Sequence, residues 1–153
     1  MTARTEATKG LEEIETLRRF ISRSGTSLDA SSIEKRSPPE PDLLCQGREG
    51  LVAFEIANLC DGEIAKVLAA GAKARTDAFY TADPSAGIVR AKLKKTYKIN
   101  YPIELLVYTD GRLITPDAVI IPTITPILQS RDGPYRRAWF MGEETTCLFW
   151  EAN

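Results

Sequence analysis

The sequence predicts a mixed α/β chain of the α+β kind, with a central mixed β-sheet flanked by helices. Three observations carry this. Residues 11–22, "LEEIETLRRFIS", repeat apolar residues at helical spacing. "DLLC" and "LVAFEIANL", separated by the glycine-bearing "QGREG", read as two strands and a turn. "IELLVYT" (103–109) is a continuous apolar run, as in a strand buried on both faces.

The elements follow in order. In the first helix Leu11, Ile14, Leu17, Arg18 and Ile21 fall on one stripe, early glutamates suit the helix dipole, and Gly25 is a stop signal. Residues 1–10 read as a short, flexible polar tail, leaving one domain over 11–153. "SLDASSIEKRSPPEP" reads as a short strand or extended link, because Pro38, Pro39 and Pro41 forbid a helix. After the strand pair, residues 61–75 are Ala-rich and helical, with Asp61 as N-cap. A further helix over 85–98 precedes the 103–109 strand and a "DGR" turn. Residues 116–130 carry Pro116, Pro122 and Pro126 and read as a broken helix or a loop. "RRAWFM" and "TCLFWE" close the chain as two strands.

Composition narrows the chemistry. With 43% hydrophobic and 27% charged residues the chain matches a soluble globular domain. It has no apolar run of the roughly 18 residues needed to span a bilayer, and no secretory leader pattern. Three cysteines cannot all pair within one chain, so they read as reduced thiols in a cytoplasmic protein. There is no histidine, which removes Ser-His-Asp, Cys-His and HExxH chemistry. No glycine-rich phosphate loop is present either. An enzyme built from this chain has carboxylates, lysines and a bound hard metal to work with.

The strand pair holds the most pointed feature. If residues 47–50 form the turn, Gln46 faces Leu51 and Asp42 faces Glu55. Their Cα atoms would then lie about 4.5–5.5 Å apart with both side chains on one face. Leu43, Cys45, Val52, Phe54 and Ile56 take the other face; Leu44, Leu51, Ala53 and Ala57 share the acids' face. Two like charges opposite one another require water, a shared proton or a cation. The apolar company of the acids disfavours water. The plainer alternative has Asp42 capping a turn and Glu55 meeting an arginine.

"PD" opening a strand, followed by a turn and an apolar strand with a glutamate, resembles the PD-(D/E)XK nuclease superfamily, in a divergent bacterial branch. The resemblance covers residues 10 to 110. It implies a restriction-endonuclease-like α-β-β-β-α-β core and a Mg2+- or Mn2+-dependent DNA endonuclease. It further implies that Asp42 and Glu55 are metal ligands and catalytic residues, with Glu15 adding a third acid and Glu12 as second choice. The lysine expected two residues after Glu55 is replaced by Ala57. The resemblance then points to Lys66, Lys94 or Lys95 on neighbouring helices as its substitute.

Between Ser85 and Ile99 the sequence carries Arg90, Lys92, Lys94, Lys95 and Lys98 with no acid, and Arg131, Arg136 and Arg137 form a second cluster. In a chain of net charge −1 such segregation predicts a local nucleic-acid surface of Arg90, Lys94, Lys98, Arg136 and Arg137. A solvated helix face is the plain alternative. Two other functional readings stand beside the nuclease. One is a catalytically inactive relative serving as a DNA-binding or protein-interaction module, which Ala57 favours. The other is a homodimer built on the aromatic end, "AWFMGEETTCLFWE".

Overall fold

The hairpin register decides where the two acids sit, and it is the one expected. Leu43 pairs with Phe54, Leu44 with Ala53, Cys45 with Val52, Gln46 with Leu51 and Gly47 with Gly50. Arg48 and Glu49 form the two-residue loop, and Gly50 closes it at φ +133°. That backbone region suits glycine alone among the common residues.

A computed structural model of the chain describes residues 6–59, 84–109, 116–130 and 132–151. Its elements are α1 (Glu6–Ser24), β1 (Asp29–Lys35), β2 (Leu43–Gly47), β3 (Gly50–Asn58), α2 (Pro84–Leu93), β4 (Ile103–Tyr108), α3 (Asp117–Leu128), β5 (Arg137–Met141) and β6 (Thr146–Glu151). The expected helix over 61–75, with Asp61 and Lys66, lies outside the described residues, as do the 110–112 turn and Arg131. No helix among the described residues is long and apolar enough to cross a membrane.

The six strands form one mixed sheet in the order β1-β2-β3-β4-β5-β6. β3–β4 and β4–β5 pair in parallel; the outer pairs are antiparallel. Each parallel step needs a crossover, and α2 and α3 lie in those two connections. Both pack on one face of the sheet. There Val89 of α2 and Ile120, Ile124 and Leu128 of α3 meet Leu44, Ala53, Ala57, Leu105, Val107 and Phe140. The other face is covered by α1, whose Leu17 and Phe20 meet Leu43, Cys45, Phe54, Ile56 and Leu106. The expected split of the hairpin's side chains between two faces therefore holds.

Three elements depart from the sequence reading. α1 starts at Glu6, not Leu11, and is rotated: Leu11 is exposed, while Glu13, Thr16, Leu17 and Phe20 face inward. α2 stops at Leu93 instead of running to Lys98. The chain at Gly133 (φ +93°) presses on this end, so close that a Cβ there would lie 2.8 Å from the Leu93 carbonyl oxygen. Residues 117–128 form a helix despite Pro122 and Pro126. Each internal proline costs about 3 kcal/mol. Ile120, Ile124 and Leu128, stacked at i, i+4 and i+8 and fully buried, oppose that with about 1.5–3 kcal/mol each. Asp117 also ties the start of α3 to the β5–β6 turn, accepting the backbone N–H groups of Glu143, Glu144 and Thr145.

Candidate active site

Asp42 follows the buried Pro41 and sits one residue ahead of β2. Its carbonyl accepts the N–H of Arg36 at 2.9 Å, and its Oδ2 accepts the N–H of Ile56 at 2.9 Å. The side chain thus occupies the next rung of the β2–β3 ladder and is held against β3. Glu55 lies in the middle of β3 with its side chain only 2% exposed. Its Oε1 accepts the N–H of Asp42 at 3.3 Å. The two acids are neighbours on adjacent chain segments, as the hairpin arithmetic requires.

Glu55 meets lysines, not an arginine. Lys92 Nζ donates to Glu55 Oε2 at 2.7 Å and Lys95 Nζ to the same oxygen at 2.9 Å. Lys92 is 21% exposed and Lys95 48%. α2 ends between them, and the turn that follows, in which the Lys95 N–H bonds the Lys92 carbonyl at 3.2 Å, brings both ammonium groups to Glu55. Lys94, between them, points elsewhere and lines a cleft with Arg90, Pro126, Ile127 and Asp132. Of the lysines singled out from the sequence, Lys95 therefore joins the acids, Lys94 does not, and Lys66 lies outside the described residues. Lys92 was missed as a site residue. Its signal was available: it falls three residues after Val89, on the stripe that enters the core.

Ala57 explains why no lysine follows on β3. It is buried in the cluster between the sheet and the crossover helices. An ammonium stem at that position would displace apolar packing, whereas the end of α2 delivers one from the rim.

A third acid comes from α1, and it is Glu13, not Glu15 or Glu12. Glu15 is exposed beside Arg18, and Glu12 is exposed as well. Glu13 is buried and accepts Lys35 Nζ at 2.7 Å; the same ammonium lies 3.8 Å from Asp42 Oδ1. Gly10, one helical turn earlier, lies beside the Lys35 stem, whose Cγ would be in ordinary contact, 3.5 Å, with an added Cβ.

Burial, then the charges of Glu55 and Glu13, push Asp42 up to about 6. Burial also opposes ionisation of Glu55, but Lys92 and Lys95 outweigh it and hold its carboxyl below the usual range. Burial lowers Lys95, yet its bond to Glu55 wins and raises it. Behind the lysines, Tyr135 Oη donates to the Lys92 carbonyl at 2.8 Å and lies 3.0 Å from Tyr97 Oη. A hydroxyl has one proton, and that of Tyr135 is committed to the carbonyl, so Tyr97 is the donor to Tyr135. Burial raises both phenols well above their ordinary value.

The donor set can be tested against a hard cation. Asp42 Oδ1 has its ammonium neighbour only at 3.8 Å, and Glu55 Oε1 makes a 3.3 Å contact, so both oxygens retain acceptor capacity. Mg2+ is commonly bound by one or two carboxylates plus water. The pair fits such an ion. Among the described residues no three histidine, cysteine, aspartate or glutamate side chains form a larger metal cage.

The expected basic surface divides. Arg90, on α2, and Lys94 and Lys98, beyond its end, are exposed. Arg136 and Arg137 bind Glu104, on the sheet face covered by α1. They therefore do not extend the α2 surface. Comparison with protein-family models, curated proteins and solved structures finds no match to this chain.

Proposed function

We propose that this protein is a metal-dependent DNA endonuclease of the PD-(D/E)XK kind, with its lysine supplied by the end of α2. One observation carries the reading. Two ammonium groups from a separate element converge on a buried glutamate whose neighbour is an aspartate with poorly compensated charge. The order α1-β1-β2-β3-α2-β4 among the described elements agrees with the core that this family implies. Free thiols at Cys45 and Cys147 suit a cytoplasmic setting.

Asp42 and Glu55 would hold Mg2+ or Mn2+, which supplies polarisation of a phosphodiester and a more acidic water when bound. Lys92 keeps Glu55 ionised and aimed. Lys95, half exposed, can approach a phosphate and offset the charge that develops on its oxygens. Arg90, Lys94 and Lys98, all exposed, would contact the DNA backbone.

The test is cleavage of plasmid and single-stranded DNA with Mg2+ or Mn2+, alongside metal titration by calorimetry. Asp42→Asn should abolish both metal binding and cleavage. Lys95→Ala should keep metal binding and lower the rate by about 10²–10³-fold. Absence of cleavage by the folded wild type on either substrate would overturn the catalytic reading.

A specific observation favours the inactive module as the second reading. Three acids, Glu13, Asp42 and Glu55, are matched by three lysines, Lys35, Lys92 and Lys95, so the cluster is balanced without a metal. DNA binding that persists in Asp42→Asn and is lost on charge reversal of Lys94 and Lys98, without cleavage, would establish it.

A further inference from the structure

A second polar cluster lies on the sheet face opposite Glu55. Glu104 sits in the central strand β4 and is 3% exposed. Such a carboxylate is costly unless it is paired and hydrogen-bonded. Here Oε1 accepts Trp139 Nε1 at 2.7 Å, and Oε2 accepts Arg136 Nη2 at 2.6 Å and Arg137 Nη1 at 3.2 Å. The parallel register places Arg137 directly beside Glu104, so strand pairing fixes this geometry.

These groups do not close over one another. They wall a cleft of about 420 Å3, floored by Leu28, Val52 and Leu148 and bordered by Thr26. That volume is within the usual range for small-molecule sites. Glu104 has both oxygens engaged, so it offers a ligand little. The guanidinium groups are different. Each has five N–H donors, and among the described residues Arg136 uses only Nη2 in a side-chain bond, its buried Nε having no partner. Glu104 offsets one of the two guanidinium charges. Glu151 offsets the other through Arg137 Nε, but Glu151 is half exposed on the last described strand. An exposed pair of this kind is weak. Arg48 and Glu49, both exposed, line it with opposite formal charges.

We propose that this cleft is a binding site for a small ligand that pairs an oxyanion, phosphate or carboxylate, with a flat apolar body. The oxyanion replaces Glu151 on Arg137 and engages Arg136. The body lies along Trp139 and Leu148. Glu104 is a positioning residue that holds both guanidinium forks and the indole in place. This site is independent of the Asp42–Glu55 centre.

The experiment follows the two indole N–H signals by NMR during separate titrations with phenyl phosphate and benzoate at constant ionic strength. The Trp139 signal should shift saturably while the Trp150 signal stays fixed. A stronger response to phenyl phosphate assigns a phosphoryl ligand; a stronger response to benzoate assigns a carboxylate. Arg137→Gln should weaken binding about ten- to hundredfold, the loss of a charge-assisted hydrogen-bonding partner. Glu151→Gln, at an exposed position, should strengthen it severalfold, with thermal melting checking that the variant is folded. No saturable shift with either probe, or unchanged or weaker binding in Glu151→Gln, would overturn the proposal.

Discussion

Replacing Lys92 by methionine tests the centre of the site without depending on activity. The stem keeps its length and its packing, and only the ammonium is lost. Glu55 is then a buried carboxylate with one cation instead of two. Removing one partner of a fully buried pair costs about 3–5 kcal/mol. The remaining partner, Lys95, is half exposed and solvent-screened, so it recovers part of this. The expected loss is about 1–3 kcal/mol, or roughly 2–4 °C in Tm per kcal/mol for a chain of this size. Lys95→Met should cost less, about 1 kcal/mol or below.

The pH dependence gives the sharper reading. In the wild type the Glu55 carboxyl is held low. Its ionised form thus contributes stability above the unfolded value of about 4.3, and this is lost as pH falls through the folded value. In Lys92→Met burial is opposed by one lysine alone, so the folded pKa rises. The gap between wild type and variant should be widest near pH 7.5 and should narrow toward pH 4. Urea unfolding at four or five pH values measures it. A loss under about 0.5 kcal/mol that stays flat with pH, the size of an ordinary surface substitution, would refute the paired, buried Glu55.

Asp42 should behave in the opposite sense. Its folded pKa of about 6 lies above the unfolded value, so its ionisation weakens the metal-free fold as pH rises from 4 to 6. Asp42→Asn can still accept the Ile56 N–H, and it should raise the melting temperature at pH 7.5 while leaving it nearly unchanged at pH 4, as read by thermal scans. Tyr135→Phe removes the proton that reaches the Lys92 carbonyl and leaves Tyr97 without its acceptor. A loss of about 1–3 kcal/mol is expected, with faster amide exchange at Lys95, whose N–H bonds to the Lys92 carbonyl. Asp117→Ala should cost about 1–3 kcal/mol by removing the shared acceptor of three backbone N–H groups at the β5–β6 turn, measured by denaturant unfolding.

The sequence alone determined the hairpin and the neighbouring acids. A glycine-bounded two-residue loop sets the register, and the period-2 alternation then assigns every side chain from Asp42 to Ile56 to a face. Both are local rules. It also determined that β3 and β4 run through the interior, since both are apolar on both faces. The source of the lysines was only half legible, because α2 ends between Lys92 and Lys95 and nothing local sets where it stops or how the chain turns after it. The same holds for α1, whose packing buries Leu17 and Phe20 fully, carries Glu13 inward beside Lys35 and leaves Leu11 exposed. The end of α2 lies against Gly133, some forty residues away in the chain, and parallel strand register sets Arg137 beside Glu104. Tertiary structure decided these because helix phase and cross-strand charge pairing depend on neighbours distant in sequence, whereas a tight turn and an alternating strand carry their instructions within a few residues.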